Sequence, residues 1–129
     1  MVCLITASAL FGTGVSAHAF ELNGAWTGRA EDCKRVFTKE GNTISFGKDS
    51  ELYGTGFIVE GNTLTASGGK CSIKARKEDG SVRHLIAVCT TGIMVDQMQL
   101  TYRVVDDNKI IRLFPGMEGF ETEFSRCRL

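Results

Sequence analysis

Histidine is the scarcest of the side chains that could do chemistry in this sequence: there are two, His18 in an apolar N-terminal stretch and His84 well inside the chain. Any Ser-His-Asp or Cys-His arrangement in the folded part would have to pass through His84. That residue shares one side of an alternating segment with Val82, Ile86 and Val88, opposite the side that carries Cys89. It reads as a histidine on a solvent-facing sheet surface. Two carboxylate pairs, Asp49 with Glu51 and Glu121 with Glu123, have a spacing that an acid–base pair could use, but each reads more simply as solvated loop or strand charge. Gly68-Gly69 is followed by no helix whose N-terminus could hold a phosphate. The expectation is a protein that is not an enzyme, with no catalytic residues, no cofactor and no metal.

Cysteine is the other reactive type, and its placement points to cross-links. Cys33, Cys71, Cys89 and Cys127 form an even set without a C-x-x-C pair, and a zinc site would need ligands at unusual spacings. Residues 1–19 carry no Lys, Arg, Asp or Glu, run through the apolar stretch Leu4 to Val15, and end in Ala17-His18-Ala19. This is the form of a cleavable export signal with an A-x-A site, so disulfides in a periplasmic or secreted product are expected. Such signals normally open on Lys or Arg, and the lack of one places the expected true start upstream of Met1. Cys3 lies in the discarded segment, and no lipid anchor is expected. The apolar run is too short to span a bilayer of about 30 Å, and no later run reaches ~18 residues, so no membrane insertion is expected.

Residues 20–129 are enough for one domain with a single modest core. All fifteen acidic and fifteen basic residues lie there, with no block of one sign, which argues against nucleic acid or anionic lipid as partner. A monomer is expected.

The elements that must position these residues are strands. Runs rich in Val, Ile, Thr, Phe and Tyr alternate with Gly, Asn and Asp, and no window of helical length shows helical spacing. Ten strands are expected, over 23–29, 33–39, 42–47, 53–59, 62–67, 70–78, 82–90, 95–106, 109–114 and 119–128. In the hairpin turning at Asp79-Gly80-Ser81, a three-residue loop sets Ala75 against Leu85, Ile73 against Ala87 and Cys71 against Cys89. One register then aligns an apolar face and a disulfide. A two-residue loop at Asp107-Asn108 sets Val104 against Ile111 and Tyr102 against Leu113. The text Glu-Gly-Asn-Thr occurs at 40–43 and 60–63, with Phe37 expected opposite Ile44 and Phe57 opposite Leu64.

Sequential hairpins make a meander, whose free edges favour closure into a small 8–10-stranded antiparallel up-and-down barrel; a β-sandwich is the alternative. Alternation then places the tight turns at Glu40-Gly41, Glu60-Gly61, Asp79-Gly80 and Asp107-Asn108 at one end. The longer connections collect at the other, with Leu52, Tyr53, Ile93, Met94, Met117 and Phe120 as candidate binding loops. The alternative is that these side chains fold inward and plug the mouth. Cys33 and Cys127 are left to pair, although alternation puts them at opposite ends. A bent first strand or a further reversal near Pro115-Gly116 would reconcile the two; otherwise both thiols stay free.

Gly24-Ala25-Trp26 after the cleavage site is similar to the G-x-W that opens lipocalin-like (calycin-type) barrels. The resemblance implies a closed antiparallel barrel sealed at one end by Trp26, with a basic residue, Arg126 or Arg128, stacked over it. Trp26 followed by Cys33 also resembles the periplasmic barrel inhibitors of metalloproteases, which implies an inhibitory tail at Phe20-Glu21-Leu22-Asn23. Four cysteines depart from the single bridge of that family. Three functions follow: a binder or inhibitor of another exported protein acting through loops, a carrier of a small apolar ligand, or a structural module without ligand. The bulk of Phe37, Phe57, Tyr102 and Phe124 at expected inward positions places the first ahead of the second.

Overall fold

The computed structural model describes Gly12 and residues 19–129, so the export-signal reading lies outside the described residues. Ten strands form: β1 (Gly24–Thr27), β2 (Phe37–Glu40), β3 (Thr43–Phe46), β4 (Gly56–Glu60), β5 (Thr63–Ala66), β6 (Gly69–Asp79), β7 (Val82–Thr91), β8 (Met94–Asp106), β9 (Lys109–Leu113) and β10 (Glu121–Arg126). Eight of them close a barrel in the order β1-β10-β9-β8-β7-β6-β5-β4, with β4 returning to β1. Every pairing is antiparallel, so closure removes the free edges that a meander would leave. Among the described residues no helix is long and apolar enough to cross a membrane.

The segment between β1 and β4 departs from the expected meander. After a 3₁₀ turn at Ala30–Asp32, the strand expected from Cys33 begins instead with a single helical turn, α1 (Cys33–Val36). It leads into a two-stranded hairpin, β2–β3, that lies outside the barrel. The cause is an apolar outer face. Trp26, Phe57 and Val59 project inward, so Ala25 and Ile58 project outward, and these are covered by Val36, Phe37, Cys33 and Cys127 in a second core cluster. The packing is close enough that a Cβ on Gly56 would sit 3.0 Å from both Phe37 Cζ and Val36 Cγ1.

This detour settles the cysteine paradox. Because α1 folds back along the outside of the short β1, Cys33 reaches Cys127, whose N–H donates to Ala25 O at 2.7 Å, and the two sulfurs bond with Cα atoms 5.5 Å apart. Cys71 bonds Cys89 across β6–β7. Neither a bent β1 nor a reversal near Pro115-Gly116 is involved. Two disulfides fit an oxidising compartment.

Register departs from the sequence expectation at four hairpins. Glu40 pairs with Thr43 and Glu60 with Thr63, so Gly41-Asn42 and Gly61-Asn62 are two-residue loops with Gly at positive φ, +59° and +57°. Phe37 thereby faces Phe46, not Ile44, and Phe57 faces Ala66, not Leu64. The β6–β7 loop is also two residues, Gly80-Ser81, and a bulge at Lys74 absorbs the slip. Cys71 still meets Cys89 and Ile73 meets Ala87, but Ala75 faces Ile86, not Leu85. At Asp107-Asn108 the loop has the expected two residues, and a bulge at Val105 creates a slip: Val104 faces Ile110 and Tyr102 faces Arg112, not Ile111 and Leu113. The turns at Gly61, Gly80 and Asp107-Asn108 share one barrel end, while the turn at Glu40-Gly41 belongs to the outer hairpin and not to the barrel; the other end, expected to collect the longer connections, also holds two-residue turns, Ser67-Gly68 and Gly92-Ile93.

Candidate functional site

The barrel interior is divided along its axis. At the tight-turn end Leu22, Trp26, Val59, Ile73, Leu85, Tyr102, Ile110 and Phe124 pack into one cluster, with Trp26 fully buried and its indole N–H donating to Leu22 O at 2.9 Å. The Arg126 guanidinium carbon lies 4.3 Å from the Trp26 ring. The same side chain donates to the carbonyls of Glu21, Asn23 and Asp107, which ties the N-terminal segment to the β8–β9 turn. Burial pulls the Arg126 guanidinium below its usual value, opposed by Asp107 and Glu21. Arg128 is not the stacking partner; it donates to Asn108 Oδ1 at 3.2 Å. Phe20 and Leu22 pack into this cluster, which holds Phe20-Glu21-Leu22-Asn23 against the barrel instead of extending it as a tail.

Toward the other end the interior is hollow. A cavity of about 400 Å³ is lined by Phe57, Leu64, Leu85, Leu100, Tyr102, Ile110 and Phe124, and it reaches the end where Ser67-Gly68 and Thr91 lie. The space exists because one wall is built from small inward residues: Ala66 and Gly69 on β5 and β6, and the Cys71–Cys89 bridge across β6–β7. Gly69 admits no side chain there, since a Cβ would meet Thr90 O at 2.7 Å. The expectation that Phe37, Phe57, Tyr102 and Phe124 fill the barrel is therefore corrected. Phe37 lies in the outer cluster, and the other three line the cavity without closing it.

Arg112 borders this cavity and was not singled out by sequence reasoning. The bulge at Val105 turns β9 so that Ile110 and Arg112 face inward, where a regular hairpin would present Ile111 and Leu113. The guanidinium carbon of Arg112 lies 4.6 Å from the Phe114 ring, and Phe114 meets Phe120 edge-on with centroids 6.1 Å apart. Burial pulls the Arg112 guanidinium below its usual value, and the charge remains at neutral pH. Arg112 shares its face of β9 with Ile110, which is only 2% exposed, and the sequence does not mark which face of this strand turns inward.

The candidate loop residues do not plug the mouth. Ile93 is fully exposed in the Gly92-Ile93 turn, Leu52 is 77% and Phe120 63% exposed, and Met94 and Met117 are also exposed. Tyr53 lies under Arg35, whose guanidinium carbon is 5.2 Å from the ring. Of the residues weighed for chemistry, Gly68, Gly69, Cys71 and Cys89 border the cavity, whereas His84, Asp49, Glu51, Glu121 and Glu123 do not. His84 Nδ1 is 3.1 Å from Thr101 Oγ1 on the neighbouring strand. Glu121 pairs with Arg103 and Glu123 with Lys109, at 3.7 and 3.1 Å. Asp49 and Glu51 flank and enter the short turn Ser50–Tyr53. All four described cysteine sulfurs are in disulfides, which leaves none of them as a thiolate for metal or nucleophilic chemistry.

Comparison of the chain with known protein families, with curated proteins and with solved structures finds no match.

Proposed function

We propose that this protein is a carrier of a small apolar ligand, held in the hollow half of the barrel and working in the periplasm or the external medium. The observation that supports this most is the cavity itself. About 400 Å³ of mostly apolar space, open at one barrel end, falls within the range of about 300–1,000 Å³ that ligand sites occupy. A core serving stability alone would lose packing by leaving such space, at a cost of ~24 cal/mol per Å³ of cavity. The two disulfides supply rigidity around the hole, and Cys71–Cys89 forms part of its wall.

Isothermal titration of the oxidised protein with 1-decanol tests the reading. Saturable binding of one alcohol per chain is expected, abolished by Ala66→Phe, which puts an aromatic ring into the cavity with the fold retained by circular dichroism. Equal binding by the wild type and Ala66→Phe would place the alcohol elsewhere and remove the proposal.

The exposure of Ile93, Met94, Leu52, Met117 and Phe120 favours a second reading, in which the open-end loops recognise another exported protein. The combined variant Ile93→Ser, Met94→Ser should then lose the partner recovered from an extract of exported proteins. Unchanged recovery would remove that surface from consideration.

A further inference from the structure

We infer that the ligand of the cavity is an amphipathic monoanion, an apolar chain ending in a carboxylate, and that Arg112 is the residue that binds its head group. The inference rests on the carrier reading and adds the chemical class of the cargo.

The argument starts from an uncompensated charge. Arg112 projects into the barrel beside an apolar cavity, between its register neighbours Tyr102 on β8 and Thr122 on β10. Among the described residues no carboxylate lies within ion-pair distance of it, whereas Arg29, Arg35, Arg83 and Arg103 each have an acidic partner between 2.9 and 3.8 Å away. Its only described stabilising contact is the face of Phe114 at 4.6 Å. A guanidinium drawn into partly apolar surroundings costs free energy unless an anion meets it, and burial already pulls this one below its usual value. The charge is therefore placed for a partner that the chain itself does not supply.

The geometry also selects among anions. Lys70, the other cationic residue bordering the cavity, precedes inward-facing Cys71 on the same strand and so projects outward. One inward cation matches one negative charge; a dianionic head would leave a second charge unpaired at the edge of an apolar space. The planar guanidinium offers paired N–H donors that suit a carboxylate. Below the head, Leu64, Leu100, Phe57 and Phe124 receive the chain.

The test compares decanoate with 1-decanol, two probes of the same chain length, on the wild type, Arg112→Met and Arg112→Lys, at a pH where the acid is ionised. The alcohol reports the cavity alone and serves as the folding control in each variant. Decanoate should bind the wild type on the order of tenfold to a hundredfold tighter than the alcohol. Arg112→Met should erase that preference while leaving alcohol affinity unchanged, and Arg112→Lys should keep part of it, with a point charge in place of the fork. Equal affinity of acid and alcohol for the wild type, or a preference that survives Arg112→Met, overturns the assignment of Arg112 and leaves the carrier reading standing. Failure of both probes to bind overturns the carrier reading and this one with it.

Discussion

The two halves of the barrel interior are built by the same strand alternation and end in opposite states. At the tight-turn end, large inward residues from seven strands converge on Trp26, and Arg126 closes the stack from above while binding three backbone carbonyls. At the other end the inward positions shrink to Ala66, Gly69 and a disulfide, and the interior empties. Arginines stand on the inward face in both halves: Arg76, Arg83 and Arg126 at the closed end, and Arg112 beside the cavity. Arg126 is spent on the fold, with every described partner internal to the chain; Arg112 has an aromatic ring beside it and no described anion. The two halves share a boundary layer, since Leu85, Tyr102, Ile110 and Phe124 belong both to the packed cluster and to the cavity wall, whereas Trp26, Val59 and Ile73 serve the cluster alone and Ala66, Gly69 and the Cys71–Cys89 bridge serve the wall alone.

The largest effects test whether the closed half and its outer cover carry the stability. Replacing Cys33 and Cys127 together by Ala frees a loop of 94 residues and should cost about 4–5 kcal/mol, against about 3 kcal/mol for the 18-residue loop of Cys71 and Cys89. Urea unfolding of both double variants measures the difference, and a reversed order would break the comparison. Trp26→Ala should cost about 3–5 kcal/mol of stability, since it removes the largest fully buried side chain. Leu100→Ala, beside space that is already empty, should fall at the low end of the range, about 2 kcal/mol. Equal costs would mean that the two halves are packed alike.

The smallest effect is a titration. Burial holds the Tyr102 hydroxyl above the usual tyrosine value, with Arg83 and Arg76 pulling it the other way. The folded state then keeps this proton to higher pH than the unfolded chain. Its contribution is complete below pH ~10 and is lost as pH rises through the folded value. Tyr102→Phe should therefore flatten the loss of stability above pH ~10; identical pH profiles would show that Tyr102 is not held in its neutral form by the core.

Strand content, turn positions and both disulfides were legible in the sequence because each rests on local chemistry: branched and aromatic runs, Gly at reversals, an even cysteine set. The site was not, for a reason that lies in particular residues. Two bulges, at Lys74 and Val105, each add one residue to a strand, and nothing in Ile73-Lys74-Ala75 or Val104-Val105-Asp106 marks them. In β6 the bulge compensates for a loop shorter than expected, so the cysteines still meet. In β9 the corresponding shift exchanges the two faces of the strand, sending Arg112 inward and Ile111 and Leu113 to the other face. The external hairpin was missed because Cys33–Val36 reads as strand in isolation. Its signal was the unbroken apolar run Phe57-Ile58-Val59, which requires burial on both faces of β4.

The central claim is that the open half of the barrel is an apolar binding chamber while the closed half is a packed core. Methyl NMR of the oxidised protein titrated with 1-decanol addresses it most directly. Shifts and intermolecular contacts are predicted at Leu64, Met98 and Leu100, with the Trp26 indole N–H unmoved. A saturating titration that leaves those three side chains unchanged, or that perturbs only Ile93 and Met94 on the outside, would contradict it.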